Sequence, residues 1–137
     1  MERLQDHLTP WRNMAAASHQ HDHRVIPPAL RCDVEVRGTT RIVAVDGEID
    51  LATAPELRDV IRQAFGGHPE TLVIDLARVT FIDSSGLHAL IDADRRSTAA
   101  GIRLIIVPAA ADVHRPFSLA GLDQVLPFVL PPRSDRR

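Results

Sequence analysis

TLVIDLA, residues 71 to 77, is a nearly continuous run of apolar and mostly branched residues, the pattern of a strand covered on both faces in the middle of a sheet. Beyond the polar link DSSG, the stretch LHALIDADRRSTAAG places Leu87, Leu90, Ile91 and Ala93 or Asp94 on one side of a helix. Asp92 and Arg96 pair at i, i+4 on the other side, and Gly101 closes the helix. IRLIIVP then supplies a second buried strand. Strand, helix and strand at this spacing leave one economical arrangement, a right-handed crossover that makes the two strands parallel.

The flanking segments extend the same sheet. CDVEV alternates, RGTT reads as a turn and RIVAV is β-branched, so an N-terminal hairpin is expected. In LATAPELRDVIRQAFGG, Thr53 and Glu56 have capping-box spacing and Pro55 falls in the first turn. Leu57, Val60, Ile61 and Ala64 form a helical stripe that ends at Gly66 and Gly67. ADVHRPFSLAGL predicts a short helix with Val113, Phe117 and Ala120 inward and Gly121 as its cap. Pro116 requires that helix to start late, near Asp112 or beyond, or to kink. LPFVLPP suggests a last short strand. The fold class is therefore α/β: a small mixed, mostly parallel sheet with helices and an N-terminal hairpin strand.

A chain of 137 residues closes one hydrophobic core, and 45% apolar with 25% charged residues is a globular balance. Residues 1–30, with His19, His21, His23, an alanine run and Pro27-Pro28, read as a flexible tail and linker. The domain follows over 31–131, and a polar tail over 132–137. In HQHDH the alternating histidines would share one side of an extended segment, but with no fourth ligand or fixed frame the segment is read as solvated tail, and no metal or cofactor is expected. Cys32 is the single cysteine and reads as a packed small side chain. A net charge of -2 gives no general reason to bind nucleic acid or an anionic membrane, and no apolar run approaches a bilayer span. The start MERLQDHLTPWRNM lacks a basic segment followed by an apolar stretch, so a cytoplasmic location is expected.

Candidate chemistry concentrates at DSSG, just past the end of a parallel strand, where α/β folds gather their sites. Three readings apply. Asp83, Ser84 or Ser85 can cap the helix by accepting from its unpartnered N–H groups. Hydrolysis needs a nucleophile elbow and an oriented base; neither serine sits in a GxSxG frame, and His88 has no evident acid to hold it. In the third reading a serine is itself a substrate: a phosphate on Ser84 would meet the positive end of the helix and act as a surface charge switch. No paired carboxylates or phosphate-binding glycine loop support an enzyme.

VTFIDSSGLHAL resembles the signature of the STAS domain, and the chain is similar to bacterial anti-sigma factor antagonists. VDGEIDLATAPELR resembles the family's loop before its first helix, GIRLIIV its next strand after the switch helix, and SLAGLDQVLPF its end motif. The resemblance spans roughly residues 32 to 130 in the right order. It implies a single STAS domain that is not an enzyme and works by partner switching. The unmodified protein would bind an anti-sigma factor with GHKL-type serine kinase activity and free the sigma factor. Phosphorylation of Ser84 would release it, and a PP2C-type phosphatase would reset it. Matched to the family pattern, Asp83 precedes the acceptor, Ser85 and His88 follow it, Gly86 permits close approach, and Gly47, Glu48 and Asp50 form the adjoining partner-binding loop. Two departures stand out, Pro116 and the N-terminal tail. The alternatives are a STAS scaffold of a stress-sensing complex, marked by a large homo-oligomer, and an accessory STAS subunit of a lipid transport system.

Overall fold

The alternation that marks the hairpin becomes its buried face. In the computed structural model, which describes residues 29–129, β1 (Leu30–Arg37) and β2 (Thr40–Ile49) pair antiparallel with Cys32 opposite Val45 and Val34 opposite Val43. α1 (Ala54–Gly66) leads to β3 (Thr71–Ile82), α2 (Ser84–Ala100) to β4 (Arg103–Val107), and α3 (Ala111–Leu119) to a 3-10 turn at Leu122–Gln124. The sheet order is β1-β2-β3-β4, with β2, β3 and β4 mutually parallel. The expected class, a mixed and mostly parallel sheet with an N-terminal hairpin, is the architecture found.

Register fixes which side chains meet. Val34, Val43, Ile74 and Ile106 stand opposite one another across all four strands, with Leu72 opposite Leu104 in the next row. All six are buried, in one cluster with Leu57, Ile61 and Ala64 of α1 and Leu90 and Ala93 of α2. Each large side chain buried this way contributes about 1.5–3 kcal/mol relative to exposure. Cys32 belongs to the same layer, and burial, reinforced by the nearby Glu56 carboxylate, pushes its thiol up to about 12. The thiol therefore stays neutral and unreactive at ordinary pH.

Several expectations are corrected. β3 does not end at Ala77 but continues to Ile82, carrying the sequence VTFI into the sheet. It is not covered on both faces: Leu72, Ile74 and Leu76 are buried, whereas Thr71, Val73 and Asp75 on the other side are only half-buried. The cause is that α1 and α2 pack against each other over the same side of the sheet. Asp92 does not pair with Arg96 within α2; it takes Arg58 across the interhelical seam. Ala120 is exposed. The helix around Pro116 begins at Ala111, one residue before Asp112, and runs through the proline to Leu119. Pro116 removes the bond to the carbonyl of Asp112, and buried Phe117, 5.9 Å from the Phe128 ring, holds the element down instead. Among the described residues, the last strand is a single parallel bridge, Ile106 to Phe128, with Ile106 N donating to Pro127 O at 2.9 Å and Val129 N to Ile106 O at 2.8 Å.

The capping box is also absent. Thr53 stands at the N-cap of α1 without a side-chain cap bond, because its hydroxyl donates backward to the carbonyl of Glu48 at 2.8 Å. Glu56 consequently has nothing to reciprocate, and its Oε2 is buried with no hydrogen-bond partner. Burial first, and the charge of Asp59 second, push its carboxyl above the usual value of 4.5. A carboxyl raised by folding penalises the folded state as pH climbs through the raised value, and the penalty is gone below the unfolded value. Glu56→Gln is therefore expected to raise the urea midpoint at pH 7, with the gain vanishing near about pH 4. An unchanged or lowered midpoint at pH 7 would contradict this.

Outside the described residues lie the tail up to residue 28 with its histidine-bearing HQHDH segment, the last residues of LPFVLPP, and the polar tail over 132–137 with its terminal SDRR. Among the described residues, no helix is long and apolar enough to cross a membrane.

Candidate functional site

At the carboxyl end of β3 the chain turns through Asp83, whose backbone is extended (φ -112, ψ -167), directly into α2. The cap falls on Asp83: its Oδ1 accepts from Ser85 N at 2.8 Å, which satisfies one of the unpaired donors of the first turn. Its own N–H donates to Ile49 O at 3.1 Å, fastening the turn to the end of β2. Ser84 is the first residue of α2 and is exposed, and its hydroxyl has no hydrogen-bond partner among the described residues. Ser85 is half-buried and His88 is exposed one turn on.

Gly86 is buried for a steric reason. A Cβ there would lie 2.6 Å from Ile82 Cγ1 and 2.8 Å from Ile49 Cγ2, so only glycine lets the first turn of α2 rest on the ends of two strands. It shapes the site from beneath.

Gly47 and Glu48, expected in a loop, belong to β2. They sit where the β2–β3 register shifts, between Ala44 and Asp46 and again between Gly47 and Glu48. Such a bulge adds local twist and re-aims the side chains beyond it. Gly47 has φ +112, and a Cβ there would meet the Ala29 carbonyl oxygen at 2.2 Å. That close approach lets Glu48 N donate to Ala29 O at 2.7 Å. After the strand, Asp50 Oδ1 accepts from Ala52 N at 3.0 Å and Thr53 N at 3.1 Å, while Asp50 N donates to Thr53 Oγ1 at 2.9 Å. The connection from β2 to α1 is thus knotted around one buried hydroxyl.

All eight residues singled out from the sequence gather at one end of the sheet. Gly47, Glu48 and Asp50 come from the end of β2, and Asp83, Ser84, Ser85, Gly86 and His88 from the adjacent start of α2. Sequence reasoning missed three others. Thr53 organises the loop rather than the helix. Phe81, opposite Glu48 in the sheet, is 48% exposed, and Leu51 is 78% exposed. Leu51 carried a signal, a large apolar residue between turn-forming neighbours; Phe81 carried none, because the bulge that turns it outward leaves no mark in the alternation.

The arrangement is defined by what it places on the surface. Ser84 has no base against its hydroxyl, and among the described residues no cluster of three His, Cys, Asp or Glu could hold a metal ion. What it offers is an accessible hydroxyl at the positive end of a seventeen-residue helix, beside two large exposed apolar side chains and the exposed carboxylate of Glu48.

The sequence model of the STAS domain matches residues 31–132. The anti-sigma-F factor antagonist RsfB of Mycobacterium tuberculosis is 32% identical over 98 residues, covering 72% of this chain and 80% of that protein. An anti-sigma-B factor antagonist of Listeria monocytogenes is 27% identical over 98 residues, covering 71% and 86%. The crystal structure of an anti-sigma factor antagonist from Mycobacterium paratuberculosis superposes with a TM-score of 0.69 at 33% identity, covering 80% of this chain and 92% of that one.

Proposed function

The chain belongs to the STAS domain family and, within it, to the bacterial anti-sigma factor antagonists, and from that premise we propose that it is a partner-switching regulator controlled at Ser84. The unphosphorylated protein binds an anti-sigma factor and frees the sigma factor. The anti-sigma factor is a GHKL-type serine kinase that modifies Ser84 and so dissolves its own complex, and a PP2C-type phosphatase restores the binding form. The domain over residues 31–131 does this work in the cytoplasm without a cofactor.

The observation that carries the reading is the placement of Ser84: an exposed hydroxyl on the first turn of α2, with no hydrogen-bond partner among the described residues. A phosphate there faces the free N–H groups and the helix dipole, so the domain holds the charge without unfolding. Glu48, Asp50 and His88 frame the surface, Asp83 and Ser85 set the turn, and Gly47 and Gly86 make room for it.

Phe81 and Leu51 supply the apolar part of the contact. Half-exposed aromatics at interface centres are frequent anchors, so Phe81→Ala is expected to weaken the partner complex about fivefold to tenfold, or about 1 kcal/mol, with little change in unfolding midpoint. Unaltered affinity would place the interface elsewhere.

The test of the whole reading is a quantitative pull-down with the full-length chain as bait, followed by in vitro phosphorylation with the recovered kinase and mapping of the modified residue. Recovery of a GHKL-type kinase that labels Ser84 is the expected result. Recovery of transport or scaffold proteins alone, or labelling at other serines only, would overturn it.

A further inference from the structure

Arg58 and Arg62 stand four residues apart on α1, and Asp92 and Arg96 four apart on α2, so each pair occupies one face of its helix. Packing α1 against α2 turns both faces toward a single cleft of about 60 Å³, floored by Ala89 and Ala93. Three arginines and one aspartate therefore line the same space. In a chain whose net charge is -2, this is a local reversal of sign.

The three cations are held unequally. Arg58 donates to Asp92 across the seam. Arg62 pairs with Asp59 at 2.8 Å, but both side chains are more than half exposed, a contact of little strength that exchanges readily. Arg96 makes no ion pair among the described residues, since Asp92, its neighbour one turn back, is taken by Arg58. Its guanidinium carbon lies 5.9 Å from the centre of the Phe65 ring, an attraction to the ring face, and the residue lines the cleft.

We propose that this seam is a binding site for a phosphate group, gripped by Arg96 and Arg62 with Arg58 closing the third side. Planar guanidinium forks match the paired oxygens of a tetrahedral phosphate, and a cleft of about 60 Å³ is on the scale of one such group. Anything attached to the phosphate projects outward from the seam. The site lies more than one helical turn beyond Ser84 and does not depend on the role assigned to that serine.

An ¹⁵N-labelled full-length chain titrated with inorganic phosphate, and separately with O-phosphoserine, both at ionic strength held constant with chloride, tests this. Saturable shifts in the amides of residues 58–62 and 89–96, at roughly millimolar ligand, are expected. Arg96→Gln and Arg62→Gln should each weaken binding about tenfold by removing charge-assisted donors, while Arg103→Gln at the start of β4 should not. Tighter binding of inorganic phosphate identifies the free anion as ligand; tighter binding of O-phosphoserine identifies the ester of a larger molecule. Shifts that track ionic strength alone, shifts confined to residues 84–86 at the start of α2, or unchanged affinity in a folded Arg96→Gln chain would each overturn the proposal.

Discussion

Gly47→Ala is expected to destabilise the chain by about 3 kcal/mol or more, lowering the urea midpoint by roughly 1–3 M. Two effects add. At φ +112 a side chain is strained wherever it points, since this lies beyond even the small left-handed region open to other residues. A Cβ there would also press on the Ala29 carbonyl oxygen at 2.2 Å, a backbone atom with no rotamer to escape into. Relief requires β1 to withdraw from the end of β2, which breaks the bond from Glu48 N to Ala29 O. Against a typical total of about 5–15 kcal/mol, this is a large share. Equilibrium unfolding followed by circular dichroism gives the answer. A midpoint equal to that of the parent would mean that the strand end rearranges freely.

Ser84→Glu is expected to weaken the complex with the anti-sigma factor roughly thirtyfold, and full phosphorylation a hundredfold or more. One added charge facing one acidic group of the partner at roughly 6 Å, with an effective dielectric near 20, costs about 3 kcal/mol before screening and about 2 kcal/mol in physiological salt. A phosphate carries about -1.5 to -2 charges and enlarges the effect in proportion. The substitution does not act by unfolding, because a carboxylate on the first turn of α2 is favoured by the helix dipole. Titration calorimetry with the partner should therefore show lost affinity at an unchanged unfolding midpoint, a loss that shrinks as salt is added, and near-normal binding for Ser84→Ala. A salt-independent loss, or equal loss for the alanine variant, would rule out charge as the operating principle.

Much of this was legible because local rules and tertiary structure agreed. The continuous run at Leu72 to Leu76, the stripe on α1 and the left-handed Gly101 closing α2 at φ 72 each serve the same sheet, so period and propensity pointed one way. The failures share a physical cause. Asp92 had two arginines in reach, Arg96 along the helix and Arg58 across the seam, and sequence spacing sees only the first. Thr53 had two uses for its hydroxyl, and the carbonyl of Glu48 won over the helix end. Whether β3 is covered on one face or both depends on which side each helix takes, which no window of residues contains. The site itself was visible in DSSG, and Leu51 on its apolar flank carried a signal, while Phe81 was hidden by the register shift between Gly47 and Glu48.

The bond from Asp83 N to Ile49 O, the cap on Ser85 and the fit of Gly86 against Ile49 and Ile82 brace the turn that carries the Ser84 hydroxyl. Under the proposed switch, such a protein would keep no record of its past in its shape. Its entire memory would be one ester bond, written and erased by other proteins, and every molecule in the same covalent state would be interchangeable however it arrived there.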